Sequence, residues 1–200
     1  MNHPTTFFAS LAVALKELEP VFRDHRLLLT GKPLRPLDDM RPREACANWL
    51  ICAVLNEASG ASLTFGSDAT GGDGVIFDSE TGYECALTEH VMAVPGDDAN
   101  VESLILQKVE EKRAIGKSYA AGKTLVVYLA ASGGWDANVL ARQLPHPLFF
   151  ADVYIVSGEG SEAGRYVYRV AFADVTEGDA PVWRVRIAED FASWRVTQLQ

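Results

Sequence analysis

The stretch from Gly71 to His90, GGDGVIFDSETGYECALTEH, decides how the rest of the chain is read. It opens on Asp73-Gly74, runs through the apolar Val75-Ile76-Phe77, turns between Ser79 and Gly82, and resumes as a second run from Tyr83. Two strand-like runs joined through a Thr-Gly turn predict an antiparallel pair. Side chains alternate along a strand, so Glu84, Ala86, Thr88 and His90 are expected on one face and Tyr83, Cys85, Leu87 and Val91 on the other. Asp73 stands at the entrance to the first strand. Depending on register, Asp73 and Glu84 share one end of the sheet, and two such carboxylates can hold a divalent metal.

Working outward, SLTFGS (62–67) predicts a strand before this pair, and residues 42–60, PREACANWLICAVLNEASG, predict a helix before that. Pro42 suits a first helical turn, Asp38 or Asp39 can cap it, and Gly60 can end it. Its apolar residues run almost all the way round, which is the pattern of a buried helix. On the other side, a long helix is expected from Asn100, a good N-cap, to Gly122, followed by KTLVVYLAA (123–131), a continuous apolar run of the kind found in a strand covered on both faces. The order is helix, three strands, helix, strand. A first helix near 4–19 and a proline-containing connection at 30–44 precede it. Strands at 151–157, 165–174 and 181–188, a hairpin loop GEGSEAG (158–164) and a short amphipathic piece from Phe191 to Val196 follow. The expected fold is α/β: a single domain with a mixed central sheet flanked by helices, divided into 1–40, 41–130 and a C-terminal β extension over 131–200.

Composition sets limits on function. Two hundred residues, 48% of them hydrophobic, suffice for one domain with its own core. A net charge of −9 argues against a broad nucleic-acid surface, which would need clustered lysine and arginine, so any such contact must be local. Cys46, Cys52 and Cys85 form no zinc pattern and are expected to be reduced core residues. The apolar FFASLAVAL near the N-terminus has no lysine or arginine before it and continues into Lys16, Glu17 and Glu19 at helical spacing, as an amphipathic helix does. No stretch approaches the roughly 20 apolar residues of a membrane span. A cytoplasmic protein without membrane contact is the expectation.

Asp73-Gly74 entering a strand, Glu84 on the next, the acidic Glu44 on the preceding helix and the apolar strand 124–130 together resemble the PD-(D/E)XK, or restriction-endonuclease-like, superfamily over roughly residues 40–130. The resemblance implies an αβββαβ core, a hydrolase activity of the endonuclease type, and magnesium or manganese held by Asp73 and Glu84, with Glu44 as a further ligand. In that family a lysine two positions after the second acid positions or activates the attacking water. Here that position is Ala86. Some members carry the lysine on the following helix, and a wheel drawn from Val101 puts Lys108 at about 340° and Lys112 at about 20°, inside the stripe formed by Ile105, Ile115 and Tyr119. Charges on a core-facing stripe need a partner or water. Either one of these lysines approaches Asp73 and Glu84, or both snorkel or pair with Glu111 or Glu44.

The remaining signals also carry two readings. Glu44 is a ligand or a first-turn glutamate favoured by the helix dipole. His90 is a base or further ligand, or a polar residue at a strand end. His146 has nothing to pair with. Arg41, Arg43, Arg113, Lys117 and Lys123 form a local basic rim for nucleic acid or a solvated face. IGKSY lacks the first glycine of a phosphate-binding loop, because position 111 is Glu111. Two functions follow: a metal-dependent nuclease, or an inactive nuclease-like domain that binds a protein partner or a nucleic-acid end.

Overall fold

A computed structural model describes residues 7–33, 40–94, 100–130, 134–162, 165–174 and 179–200. The chain runs α1 (Leu11–Arg23), α2 (Arg26–Leu29), α3 (Pro42–Ser59), β1 (Leu63–Gly66), β2 (Gly74–Asp78) and β3 (Glu84–Ala93). It continues through α4 (Val101–Arg113), α5 (Lys117–Ala120), β4 (Lys123–Leu129), α6 (Ala137–Gln143), β5 (Asp152–Glu162), β6 (Arg165–Phe172), β7 (Val182–Ile187) and β8 (Trp194–Gln198). All eight strands form one mixed sheet in the order β1 to β8. Its β3–β4 and β4–β5 pairs are parallel and the rest antiparallel.

Within the apolar run, Lys123–Leu129 becomes the double-covered strand that its composition predicts; Ala131 lies outside the described residues. Val126 and Tyr128 of β4 pack into the layer built by α1 and α3, while Leu125, Val127 and Leu129 pack into the layer built by α4 and α6. Parallel neighbours require such crossovers, and helices supply them: α4 and α5 between β3 and β4, α6 between β4 and β5.

Helix α3 is buried nearly all round, as its lack of a polar face predicts, and Gly60 ends it in the left-handed conformation at φ 70°. Asp38 and Asp39, expected to cap it, lie outside the described residues; the N-cap residue is Arg41, whose backbone N–H donates to Glu44 Oε2 at 2.8 Å. Trp49 anchors the helix, donating from Nε1 to Leu11 O at 2.9 Å, with the rings of Phe22 and Trp194 packed edge-on against it.

Several boundaries differ from expectation. The first helix starts at Leu11, where the Ser10 side chain caps Val13 N–H, because Phe7 is drawn into a bridge with Gly66 and Phe8 N–H bonds to Phe65 O. The helix expected over 100–122 stops at Arg113; Gly116, at φ 118°, breaks it, and α5 is a separate turn. Much of GEGSEAG is strand, since β5 runs on to Glu162 past a bulge between Gly158 and Gly160; Ala163 and Gly164 lie outside the described residues. The segment read as an amphipathic piece ends in β8. Cys46 and Cys52 are buried free thiols, whereas Cys85 is exposed. Among the described residues no helix is long and apolar enough to cross a membrane.

Trp49→Ala removes the largest fully buried side chain and leaves the Leu11 carbonyl without its donor. A loss of about 3–5 kcal/mol is expected, read as a lower denaturant midpoint with an unchanged slope.

Candidate functional site

The turn that joins β2 to β3 sets which acidic residues meet. Asp78 N–H bonds to Tyr83 O, so pairing starts at the turn and Phe77 lies opposite Glu84. After a bulge at Cys85 the ladder continues Ile76 to Ala86, Val75 to Leu87 and Gly74 to Thr88. One further step brings Asp73 to Glu89 and His90, and His90 N–H donates to Asp73 Oδ2 at 2.8 Å. The expected partnership of Asp73 with Glu84 is therefore corrected: Glu84 is exposed at the opposite end of β2, and the bulge breaks the alternation that would have aligned it with Thr88 and His90.

Glu89, not singled out from the sequence, holds the centre of the site. It points toward α4, where Lys112 Nζ lies 2.6 Å from Oε1, and Lys123 Nζ, from the first residue of β4, lies 3.4 Å from Oε2. Lys112 also donates to the Tyr119 hydroxyl at 3.2 Å. The stripe on α4 runs Val101, Ile105, Val109 and then Lys112, so the helical periodicity that flagged this lysine is the geometry that delivers it. Lys108 goes elsewhere, pairing at 2.7 Å with Glu111 on its own helix. Ile115, counted in the stripe from sequence, is exposed because α4 has already ended.

Glu44 is buried in the first turn of α3, bonded to the Arg41 backbone and guanidinium, with Arg43 at 3.5 Å. It performs the helix-start role, and its charge is also felt at Asp73. Of the five cations read as a rim, Arg41, Arg43 and Lys123 act electrostatically on this group, while Arg113 pairs with Glu110.

Electrostatics separate the two acids. Burial pushes the Asp73 carboxyl up to about 6; the His90 N–H opposes this, and the charges of Glu44 and Glu89 reinforce it. Burial also acts to raise Glu89, but hydrogen bonds from Lys112 and Tyr119 and the charges of both lysines outweigh it and hold Glu89 below its ordinary value. Lys112 shows the mirror image: burial acts to lower it, and the bonds to Glu89 and Tyr119 leave it raised. Tyr119 is pushed up to about 12, first by burial and then by its bond to Glu89.

His90 is not available as a base. Its ring turns to the α3 face, where Nε2 meets Asn48 Oδ1 at 3.1 Å, and burial with the nearby Arg43 charge lowers it to about 3, so it is neutral. Nor is it at a strand end; it is a buried, interior residue of β3. Behind Asp73 the backbone fits closely. A β-carbon on Gly74 would collide with Asn48 Nδ2 and lie 2.9 Å from Thr88 Oγ1, so glycine is what lets β2 approach α3 here.

Among the described residues no three His, Cys, Asp or Glu side chains gather closely enough to hold a metal ion by themselves. Asp73 is half-buried and, among the described residues, accepts from the His90 N–H and feels the charges of Arg41, Arg43 and Lys112 without a direct ion pair.

Because Asp73 is raised above its ordinary value of 3.8, its contribution to stability is present below about pH 4 and is lost as pH rises through about 6. Asp73→Asn keeps the acceptor for His90 N–H and removes the ionisation. Thermal melts should show the variant matching the native protein near about pH 4 and exceeding it by a few degrees near about pH 8. No protein-family model matches the chain, and no curated protein or solved structure matches it, so the reading of this site rests on its own geometry.

Proposed function

We propose that the protein is a divalent-cation-dependent phosphodiesterase acting on nucleic acid, with Asp73 and Glu89 as the acidic pair. In this reading Lys112 is the lysine moved onto the helix and Glu44 an accessory carboxylate. The observation that carries it is the Lys112–Glu89 pair, an ammonium brought from a helix to 2.6 Å from a carboxylate whose chain neighbour, His90, holds Asp73 through its backbone N–H. The order α3, β1 to β3, α4, β4, with β4 parallel to β3, supports the likeness to the αβββαβ core of the restriction-endonuclease-like superfamily.

Asp73 and Glu89 would hold magnesium or manganese, which would neutralise charge developing on the phosphate oxygens as water attacks. Lys112, kept protonated by its bonds to Glu89 and Tyr119, is a fixed positive charge and not a base; it orients Glu89 and stabilises negative charge beside it. Asp73 is the group able to exchange a proton near neutral pH before a cation arrives. Arg41 and Arg43 supply positive potential at the mouth of the site without making the surface basic.

One observation favours a second reading, a nuclease-like domain that binds a protein partner or a nucleic-acid end without cleaving it. No lysine stands two residues after Glu84 (Ala86) or Glu89 (Val91), and both Glu89 oxygens already face ammonium groups.

The two part on a direct test. Manganese or magnesium should raise the melting temperature by mass action, by about 2.7 kcal/mol in stability at a hundredfold excess over Kd. Asp73→Ala and Glu89→Gln should abolish the rise, Glu44→Gln should weaken it, and Glu84→Ala should leave it unchanged. Cleavage of DNA or RNA should fall by about 10²–10³ in Lys112→Ala. A cation-dependent shift with no cleavage of either substrate selects the binding reading.

A further inference from the structure

The sheet has two edges, β1 and β8, and the chain treats them differently. At β1, Phe7 bridges to Gly66 and Phe8 N–H donates to Phe65 O, so the N-terminal segment already lies along that edge. At β8 no such cover is found among the described residues. Ala188 N–H bonds to Ser193 O and Leu199 N–H to Val182 O, which turns the backbone of Ser193, Arg195, Thr197 and Leu199 toward β7. Backbone groups of successive residues point to opposite sides of a strand. The N–H and C=O groups of Trp194, Val196 and Gln198 therefore point away from the sheet, and an edge of this kind is a template for a further strand.

The side chains beside this edge carry charge of one sign. Arg169 of β6 stands directly opposite Arg184 of β7, and Arg186 of β7 directly opposite Arg195 of β8, so all four share one face. The other face of these strands, with Tyr168, Val170 and Val185, packs into the α3 layer. Like charges directly opposite in a ladder are destabilising, and their gathering is local, because the whole chain carries −9. Part of the charge is answered within the chain: Arg184 pairs with Glu159 at 2.5 Å, and Arg169 lies over the Trp135 ring, 4.5 Å from its centroid. Arg195, on the edge strand itself, is exposed and has no hydrogen bond or ion pair among the described residues.

We propose that the edge of β8 is a docking site for an acidic peptide segment, which adds to the sheet as an extended strand and sets alternate glutamates or aspartates on the arginine face. The ladder supplies affinity through Trp194, Val196 and Gln198, and charge supplies selectivity through Arg195. In an antiparallel addition the residue facing Arg195 falls in a non-hydrogen-bonded pair, where side chains stand closest, and a carboxylate there can take the guanidinium fork in two parallel hydrogen bonds. A second copy fits worse, since pairing two β8 edges adds another Arg195 to the same face. A nucleic-acid strand offers phosphates to the arginines but no groups that match a β ladder. The site lies apart from Asp73 and Glu89 and does not depend on their role.

The test is NMR titration of the full, isotope-labelled chain with a short peptide of alternating glutamate and valine, followed by amide hydrogen exchange. Three further probes are run beside it: a peptide of alternating lysine and valine, a peptide with the same glutamates and valines gathered into two blocks, and oligothymidylate. The alternating glutamate peptide should bind, and should slow exchange of the outward-facing Val196 and Gln198 amides while leaving Arg195 and Thr197, already in the ladder, unchanged. Arg195→Glu should weaken that binding about five- to tenfold and gain affinity for the lysine peptide, a swap that loss of folding cannot produce. Gln198→Pro places its ring where the added strand would lie, and an edge strand tolerates proline on its open side; it should bind the glutamate peptide severalfold more weakly. Thermal melts report that both variants are folded, and Arg195, being exposed, keeps the test alive if Gln198→Pro is not. No binding of the glutamate peptide, binding without protection of the Val196 and Gln198 amides, or equal binding of the block peptide overturns the proposal. Oligothymidylate binding at Arg195 in preference to the peptide overturns an acidic peptide as the partner. Self-association through β8, seen as protection of the same amides that grows with protein concentration alone, overturns it in favour of a second copy.

Discussion

Helix α3 is the constraint on which the rest depends. It has no polar face to give to solvent, so α1 must cover it on one side and the sheet on the other. Three consequences for the site follow from that one burial. The N-terminal turn of α3 brings Glu44, Arg41 and Arg43 to the edge of the sheet where β2 begins. Asn48, one turn further in, reaches the His90 ring and fixes β3 against the helix. The close approach leaves no room for a side chain at Gly74, which settles where Asp73 enters the sheet.

On the opposite face the same two strands meet a different environment. Thr88 and His90 look into the α3 layer, while Glu89 between them looks toward α4 and its lysine. A single strand thus carries a neutral, buried imidazole on one side and an ionised carboxylate on the other, and the pleat keeps them apart. At the Asp73 end two carboxylates, Asp73 and Glu44, face Arg41 and Arg43, whereas at the Glu89 end a single carboxylate faces the two ammonium groups of Lys112 and Lys123. That asymmetry, and not the overall charge of −9, is what an approaching ion would meet.

Much of the architecture was legible in the sequence because its signals are local. Asn100 caps α4, Gly60 ends α3, and the run after Gly122 is a double-covered strand, each for the reason that its residue type implies. Lys112 was legible too, since helical periodicity alone puts it on the buried stripe. What the sequence did not yield was the partner of Asp73. Glu84 is the first acid after the turn, but register is counted outward from the Asp78–Tyr83 closure, and that count passes Glu84 and arrives at Glu89. The bulge at Cys85 is a second reason, for an extra residue in one strand leaves no mark in composition. The early end of α4 has a similar origin: Gly116 lies within an otherwise helical pattern, and only its positive φ shows that the helix does not pass through it.

Every strand of this sheet lies beside the strands that come just before and just after it in the chain. Apart from the bridge of Phe7 to Gly66, no pairing waits for a distant segment to return, and between the eight strands the longest excursions are the helical crossovers between Ala93 and Lys123 and between Leu129 and Asp152. Closing loops of that length costs little more than closing a hairpin, because the entropic penalty grows only with the logarithm of length. The sheet can therefore be assembled by extension, strand upon neighbouring strand outward from β4, and a mixed sheet of this kind is expected to form faster than its number of strands alone would suggest.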